Sequence, residues 1–120
     1  DIIEAIWEEK LDTLDIKWSD RSCACVVMAS GGYPEKYETG KVISGLDENG
    51  QCEGAFVYHA GTKLEDGKFL TAGGRVLGIT AYGDTLQEAL DTAYKAVDTI
   101  SFEKAHYRHD IGKKALSALK

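Results

Sequence analysis

Gly74-Arg75-Val76-Leu77-Gly78-Ile79-Thr80-Ala81, followed through Tyr82-Gly83-Asp84-Thr85 by Leu86-Gln87-Glu88-Ala89-Leu90, decides the fold class. The first eight residues are rich in apolar and β-branched side chains and predict a strand over 74–81. Thr85 with Glu88 three residues on makes a capping box, with Asp84 and Gln87 as the alternative register. Beyond it Leu86, Leu90, Ala93, Val97 and Ile100 recur at helical spacing, so residues 84–100 predict an amphipathic helix with that stripe buried. Phe102 is expected to fold back under the stripe. A strand that runs straight into a helix with one apolar face asks for a sheet to lie beneath that face.

Working outward, Ile3, Trp7, Leu11 and Leu14 predict a first helix over about 1–14, with no evident cap at Asp1-Ile2-Ile3-Glu4. Cys23-Ala24-Cys25-Val26-Val27-Met28-Ala29 is apolar without alternation and predicts a strand buried on both faces. Twelve of the 13 glycines lie between Gly31 and Gly83, which places short strands and tight turns in the middle and helices on the flanks. Val42–Leu46 and Ala55–His59 are strand candidates, and Asp66-Gly67 joins 63–65 to 68–71 as a two-residue hairpin. A last short helix is expected over 110–119. The outline is an α+β domain, a small antiparallel sheet with flanking helices. Residues 1–20 read as a connecting helix and linker and 21–120 as the core of one domain. The chain starts at Asp1, and its one methionine, Met28, lies inside a strand, so it reads as part of a longer polypeptide.

With 120 residues, 13.1 kDa, 43% hydrophobic and 28% charged, the chain has the composition of a folded domain, not a disordered one. No apolar run nears the roughly 20 residues of a membrane-spanning helix. The net charge of −6 divides unevenly, with +3 on residues 103–120 and −9 on the rest. An acidic body disfavours nucleic acid as a partner. Cys23, Cys25 and Cys52 have no secretory signal before them and no second Cys/His pair at zinc spacing. They read as buried, reduced thiols of a cytoplasmic protein, with no metal site.

No Ser-centred elbow, paired-histidine metal motif or phosphate loop is present, and no catalytic residue is assigned. Three turns are richer than a scaffold needs. Ser30-Gly31-Gly32-Tyr33-Pro34 follows a strand, and adjacent glycines there expose backbone N–H groups to an anion. His59-Ala60-Gly61-Thr62 is a second strand end. Thr71-Ala72-Gly73-Gly74-Arg75 leads a glycine pair into a guanidinium, whose fork suits carboxylate or phosphate. Gly31, Gly32, His59, Thr62, Gly73, Gly74 and Arg75 are the candidate binding residues, with Arg75 the principal anion contact. Arg108 is a weaker candidate, because Asp110 lies close enough to pair with it.

These segments carry a resemblance. Ala29–Pro34, Tyr58–Thr62, Thr71–Leu77 and Tyr107-Arg108-His109-Asp110-Ile111-Gly112 stand in the order in which phosphoribosylamine–glycine ligases, also called glycinamide ribonucleotide synthetases, carry them. The chain resembles the C-terminal domain of that family over nearly its whole length. It departs at Glu35, where a glycine often follows the proline. The resemblance implies an ATP-grasp enzyme of purine (IMP) biosynthesis, a carbon–nitrogen ligase that joins glycine to 5-phosphoribosylamine and splits ATP to ADP and phosphate. It implies a biotin-carboxylase-like C-terminal domain of the rudiment single hybrid motif type. ATP and Mg²⁺ (or Mn²⁺) are then expected on domains outside this chain. The N-terminal and ATP-grasp domains of the same enzyme are its expected partners, with phosphoribosylamine and glycine as substrates. The fragment alone is expected to be inactive. Two other readings compete: a docking domain whose turns touch no ligand, and a lipoyl- or biotinyl-type carrier using Lys68, which lacks the Met-Lys-Met setting of such carriers.

Overall fold

The computed structural model describes residues 1–118. Its elements are α1 (Ile2–Trp7), a 3-10 turn at Leu11–Thr13, β1 (Ser22–Ala29), β2 (Phe56–His59), β3 (Thr62–Glu65), β4 (Lys68–Thr71), β5 (Arg75–Gly83), α2 (Leu86–Thr99) and α3 (Lys113–Ala118). A three-stranded antiparallel sheet has the order β1-β5-β2, and β3 and β4 form a separate ribbon. The α+β architecture is therefore the one expected from the sequence.

The local signals explain most of it. Asp66 and Gly67 both take left-handed φ, +52° and +75°, and set Glu65 opposite Lys68. That is the twist a two-residue hairpin demands. At the start of α2, Thr85 Oγ1 accepts the Glu88 N–H at 3.2 Å. The Glu88 carboxylate reaches back to the N–H of Asp84 at 3.0 Å, one residue before the cap. Ala89, Leu90, Ala93, Ala96 and Val97 are buried along the helix. The main core joins the last three to Val26, Met28, Leu77, Ile79 and Ala81 on one face of the sheet, with Ile100 and Phe102 closing one end.

Four expectations need correction. The first helix stops at Trp7, not at 14. Glu9 takes φ +58°, its N–H bonds Ile6 O at 3.2 Å, and the Lys10 N–H bonds Ala5 O at 2.8 Å. This paired closure ends a helix from a left-handed residue, here without the glycine that would announce it. The start is capped after all, since Asp1 Oδ1 accepts the Glu4 N–H at 2.9 Å. The expected stripe of Ile3, Trp7 and Leu11 is exposed, Trp7 by 88%. Val42–Leu46 makes only single bridges, Val42 to Leu70 and Ser44 to Ser101, because the chain leaves the extended conformation at Gly45 (φ +92°). The last helix covers only Lys113–Ala118, and residue 119 lies outside the described residues.

The fourth correction concerns β1. It alternates between buried and exposed instead of being buried on both faces. Ala24, Val26 and Met28 face α2, while Cys23, Cys25 and Val27 face outward. Cys23 and Cys25 are thus exposed thiols and Cys52 is half-buried; all three are free. Burial, and then the charge of Asp47, push the Cys52 thiol pKa up. The physical reason is that only one sheet face is covered within this chain. The chain exposes 8578 Å², where a compact chain of this mass exposes about 6,400 Å². Its radius of gyration is 16.7 Å against about 14 Å expected.

Leu90 is 3% exposed and packs with Ala24 and Ala89, ringed by Leu86, Tyr94, Ile111 and Leu116. Leu90→Ala is expected to cost about 2–5 kcal/mol in a denaturant melt. A loss below about 0.5 kcal/mol would mean that this face of α2 is not core.

Candidate binding site at the glycine turns

The site begins with a slip in register. Met28 of β1 faces Leu77 of β5, but Ala29 faces Arg75, so Val76 is an extra residue. Strict alternation would put Arg75 on the face of Leu77 and Ile79, inside the core. The bulge turns Val76 into the core instead, fully buried, and leaves Arg75 exposed. Re-aiming one side chain is the usual structural effect of a bulge beside a site.

The three turns converge around that bulge. The Ser30 N–H donates to Gly74 O at 2.7 Å, and Ser30 Oγ donates to Gly73 O at 2.8 Å. From the other side, the Ala72 N–H donates to Gly61 O at 2.7 Å, and the Gly61 N–H donates to Arg75 O at 2.9 Å. The third turn is thereby clamped between the first two. Gly32 takes φ +96° against the Lys36 carbonyl, which reserves this tight turn for glycine. Gly74 is needed for space: a Cβ there would overlap the ring of Tyr33.

Together these residues frame a concavity of about 520 Å³. Val27, Tyr58 and Gly78 lie on the outer sheet face, and Tyr33, His59, Gly61, Gly74 and Arg75 line the same hollow. Among the described residues no carboxylate lies within ion-pair distance of Arg75. Its guanidinium is available to an external anion.

His59 and Thr62 are placed differently from Arg75. His59 Nε2 lies 2.8 Å from Gly50 O, so that nitrogen carries the hydrogen. Nδ1 then accepts from the Thr62 hydroxyl at 2.8 Å. The ring also leans on Phe69 with centroids 5.1 Å apart. Both ring nitrogens and the Thr62 hydroxyl are engaged within the chain, and their evident work is to hold the second turn. Gln51 does similar work on β2, giving its side-chain N–H to Val57 O at 2.8 Å and accepting the Val57 N–H at 2.9 Å. Tyr33 and Tyr58 are lining residues that sequence reasoning did not single out. The signal available was their position inside the quoted turn segments, beside Pro34 and His59.

The fourth segment does not join this concavity. Arg108 grips Asp110 through two bonds, Nε to Oδ1 at 2.9 Å and Nη2 to Oδ2 at 2.8 Å. That fork holds the Asp110 carboxyl below its usual range and raises the guanidinium. Tyr94 OH donates to Arg108 O at 2.6 Å and accepts the Ile111 N–H at 3.2 Å, which ties the segment to α2. A larger hollow of about 720 Å³ lies there, over Asp110 and α3, with the Arg108 charge already matched. Among the described residues no three His, Cys, Asp or Glu side chains gather to hold a metal ion. Lys68 lies in β4 opposite Glu65, beside the hairpin tip and not on it.

The fit of Tyr33 over Gly74 is open to a direct check. Gly74→Ala is expected to cost about 1–3 kcal/mol in a denaturant melt, as overpacking does. In a Tyr33→Ala background the same change should cost less than about 0.5 kcal/mol, because the obstructing ring is gone. Equal costs in the two backgrounds would refute the contact.

Comparison with known proteins places the chain in a family. The family model described as phosphoribosylglycinamide synthetase, C domain, matches residues 23–114. The chain is 50% identical over 111 residues to the phosphoribosylamine–glycine ligase of Caldanaerobacter subterraneus subsp. tengcongensis, covering 92% of this chain and 26% of that protein. It is 43% identical over 120 residues to a bifunctional purine biosynthetic protein of Dictyostelium discoideum, covering 99% of this chain and 15% of that protein. The crystal structure of phosphoribosylamine–glycine ligase from Thermotoga maritima superposes with a TM-score of 0.65 at 38% identity, over 73% of this chain and 21% of that one. The chain thus spans about a quarter or less of the length of these relatives. On the strength of the matched residues and of the fold they adopt, the chain belongs to the phosphoribosylglycinamide synthetase C-domain family.

Proposed function

We propose that this chain is the C-terminal, substrate-side domain of a phosphoribosylamine–glycine ligase, a cytoplasmic enzyme of purine biosynthesis. The enzyme joins glycine to 5-phosphoribosylamine at the expense of ATP. In this reading a glycine carboxylate oxygen attacks the γ-phosphorus of ATP and ADP leaves, giving an acyl phosphate. The amine nitrogen of phosphoribosylamine then attacks the carbonyl carbon, inorganic phosphate departs, and the nitrogen loses a proton. The single observation that carries the role of this domain is the re-aimed Arg75, without an ion-pair partner among the described residues, over a concavity made by three clamped turns.

Both substrates carry an anion, and Arg75 is the group here suited to one. It would take the phosphate of phosphoribosylamine as a charge-assisted, forked contact. Gly73 and Gly74 let that contact form close to the backbone, and Gly31 and Gly32 belong to the turn clamped beside it. His59 and Thr62 keep the second turn in place. ATP and Mg²⁺ (or Mn²⁺) belong, in this proposal, to the N-terminal and ATP-grasp domains of the enzyme. Among the described residues no three His, Cys, Asp or Glu side chains gather, so we assign no residue of this chain to the metal or the nucleotide. No chemical step is assigned to them. The competing reading is a docking domain whose turns touch no substrate.

Kinetics of the full-length enzyme separate the two. Arg75→Ala is expected to lower kcat/KM for phosphoribosylamine by about 10- to 150-fold, the equivalent of about 1.5–3 kcal/mol. Arg75→Lys should recover only part of this, since an ammonium lacks the fork. The melting temperature should stay at the wild-type value, because Arg75 is exposed and has no ion-pair partner among the described residues. Wild-type kinetics in Arg75→Ala would overturn the assignment. A defect confined to glycine would move the contact to the carboxylate.

A further inference from the structure

We propose that Ser30 is a positioning residue for the anion contact: its hydroxyl fixes the glycine pair from which Arg75 springs, and so sets how tightly phosphoribosylamine is held. The proposal deepens the reading above, in which Arg75 takes the phosphate, and rests on it.

The mount of Arg75 has little stiffness of its own. Gly73 and Gly74 precede it directly, and glycine restricts its backbone less than any other residue. A guanidinium on such a hinge samples many directions. An anion that binds it must first order it, and that ordering weakens binding.

Ser30 removes this freedom from a fixed base. Ala29, one residue before, is held by the segment that leads to α3. The Ala29 N–H donates to His106 O at 2.7 Å and the His106 N–H donates to Ala29 O at 2.9 Å. From that base Ser30 reaches two successive carbonyls, Gly74 O through its N–H and Gly73 O through Oγ. The Gly73 carbonyl belongs to the peptide plane shared with Gly74, and the Gly74 carbonyl to the plane shared with Arg75. Holding both planes fixes the backbone from which the Arg75 side chain leaves.

Only the hydroxyl bond is made by a side chain. Among the described residues, Ser30 Oγ is the one side-chain group bonded to the main chain of residues 72–75. Ser30 is 3% exposed, so its hydroxyl is shut away from water. An alanine would fill the place without a polar atom to bury, so packing does not call for an oxygen here. What the oxygen adds is direction, given to the Gly73 carbonyl and through it to Arg75.

Steady-state kinetics of the full-length ligase test this. In Ser30→Ala, KM for phosphoribosylamine is expected to rise about 5- to 10-fold with kcat within about twofold, because a contact to the phosphate holds ground state and transition state alike. KM for glycine and for ATP should stay within about twofold. Ser30→Cys, which keeps the size and offers a weaker donor, should fall between serine and alanine. The double variant with Arg75→Ala should be no more than about twofold worse than Arg75→Ala alone, since the hydroxyl acts through the guanidinium. Tyr94→Phe removes the hydroxyl that ties Arg108 O and the Ile111 N–H to α2. It is the comparison for a merely structural bond and should leave KM for phosphoribosylamine within about twofold. Hydrogen exchange of the substrate-free enzyme, read by mass spectrometry, should quicken at least ~10-fold in Ser30→Ala for the peptide over 71–77 and not for the peptide over α2.

An unchanged KM for phosphoribosylamine in Ser30→Ala, beside a defective Arg75→Ala, would overturn the positioning role and leave the phosphate contact standing. Unchanged exchange over 71–77 would overturn it as well. So would a rise of KM for all three substrates together, or an equal rise in Tyr94→Phe, since either would make the bond a structural one. Wild-type kinetics in Arg75→Ala would instead remove the phosphate contact itself, and the positioning role with it.

Discussion

The extra residue that β5 carries opposite β1 is the constraint on which the site depends. Val76 must fill a core position beneath the sheet, and Arg75 must leave the same strand in the opposite direction. A regular strand does not allow this, because adjacent side chains with Arg75 in phase with Leu77 would drive a guanidinium into an apolar core. The bulge removes the conflict at the cost of a regular ladder, and the neighbouring turns repair that ladder. Ser30 bonds the carbonyls of Gly73 and Gly74, and the Ala60 and Gly61 N–H groups take those of Val76 and Arg75. The glycines at these positions serve close approach of backbone to backbone and of Tyr33 to Gly74.

That arrangement also ranks the candidate residues. Four polar groups near the turns looked alike by type, yet the geometry divides them. His59, Thr62 and Arg108 have partners inside the chain: His59 bonds Thr62 and the Gly50 carbonyl, and Arg108 bonds the Asp110 carboxylate. Arg75 has none among the described residues and stands over a hollow. A charge held on a rigid strand end, without an internal partner, is pre-organised for an external one. The same logic extends from residue to surface. One sheet face is sealed by α2 and the other exposes Val27, Phe56, Tyr58 and Tyr82.

Much of this was legible in the residue string, because the relevant forces act over a few positions. The capping residues of α2, its stripe ending at Ile100, the Asp66-Gly67 hairpin and the pairing of Arg108 with Asp110 are short-range effects, and each is realised. The first helix was misjudged for the complementary reason. Its spacing is periodic through Leu14, but a left-handed Glu9 closes it at Trp7, and nothing in the side chain of a glutamate advertises that conformation. The strand of Cys23 and Cys25 was misjudged because an apolar run states that burial is favourable and does not state what will bury it.

The sequence by itself determined the α+β class, the covering helix, the hairpin and the four ordered segments that mark the family. The first three follow from periodicity, turn chemistry and local hydrogen bonding; the segments carry a resemblance, which no such force supplies. Only the tertiary structure decided which way Arg75 points, since a bulge depends on the register between β1 and β5, residues nearly fifty positions apart in the chain. Only it brought the turns at 30–34, 59–62 and 71–75 into one hollow, because their contacts are backbone bonds between distant segments. And only it left Cys23, Cys25 and Phe56 in the open, because α2 covers one face of the sheet and these residues lie on the other.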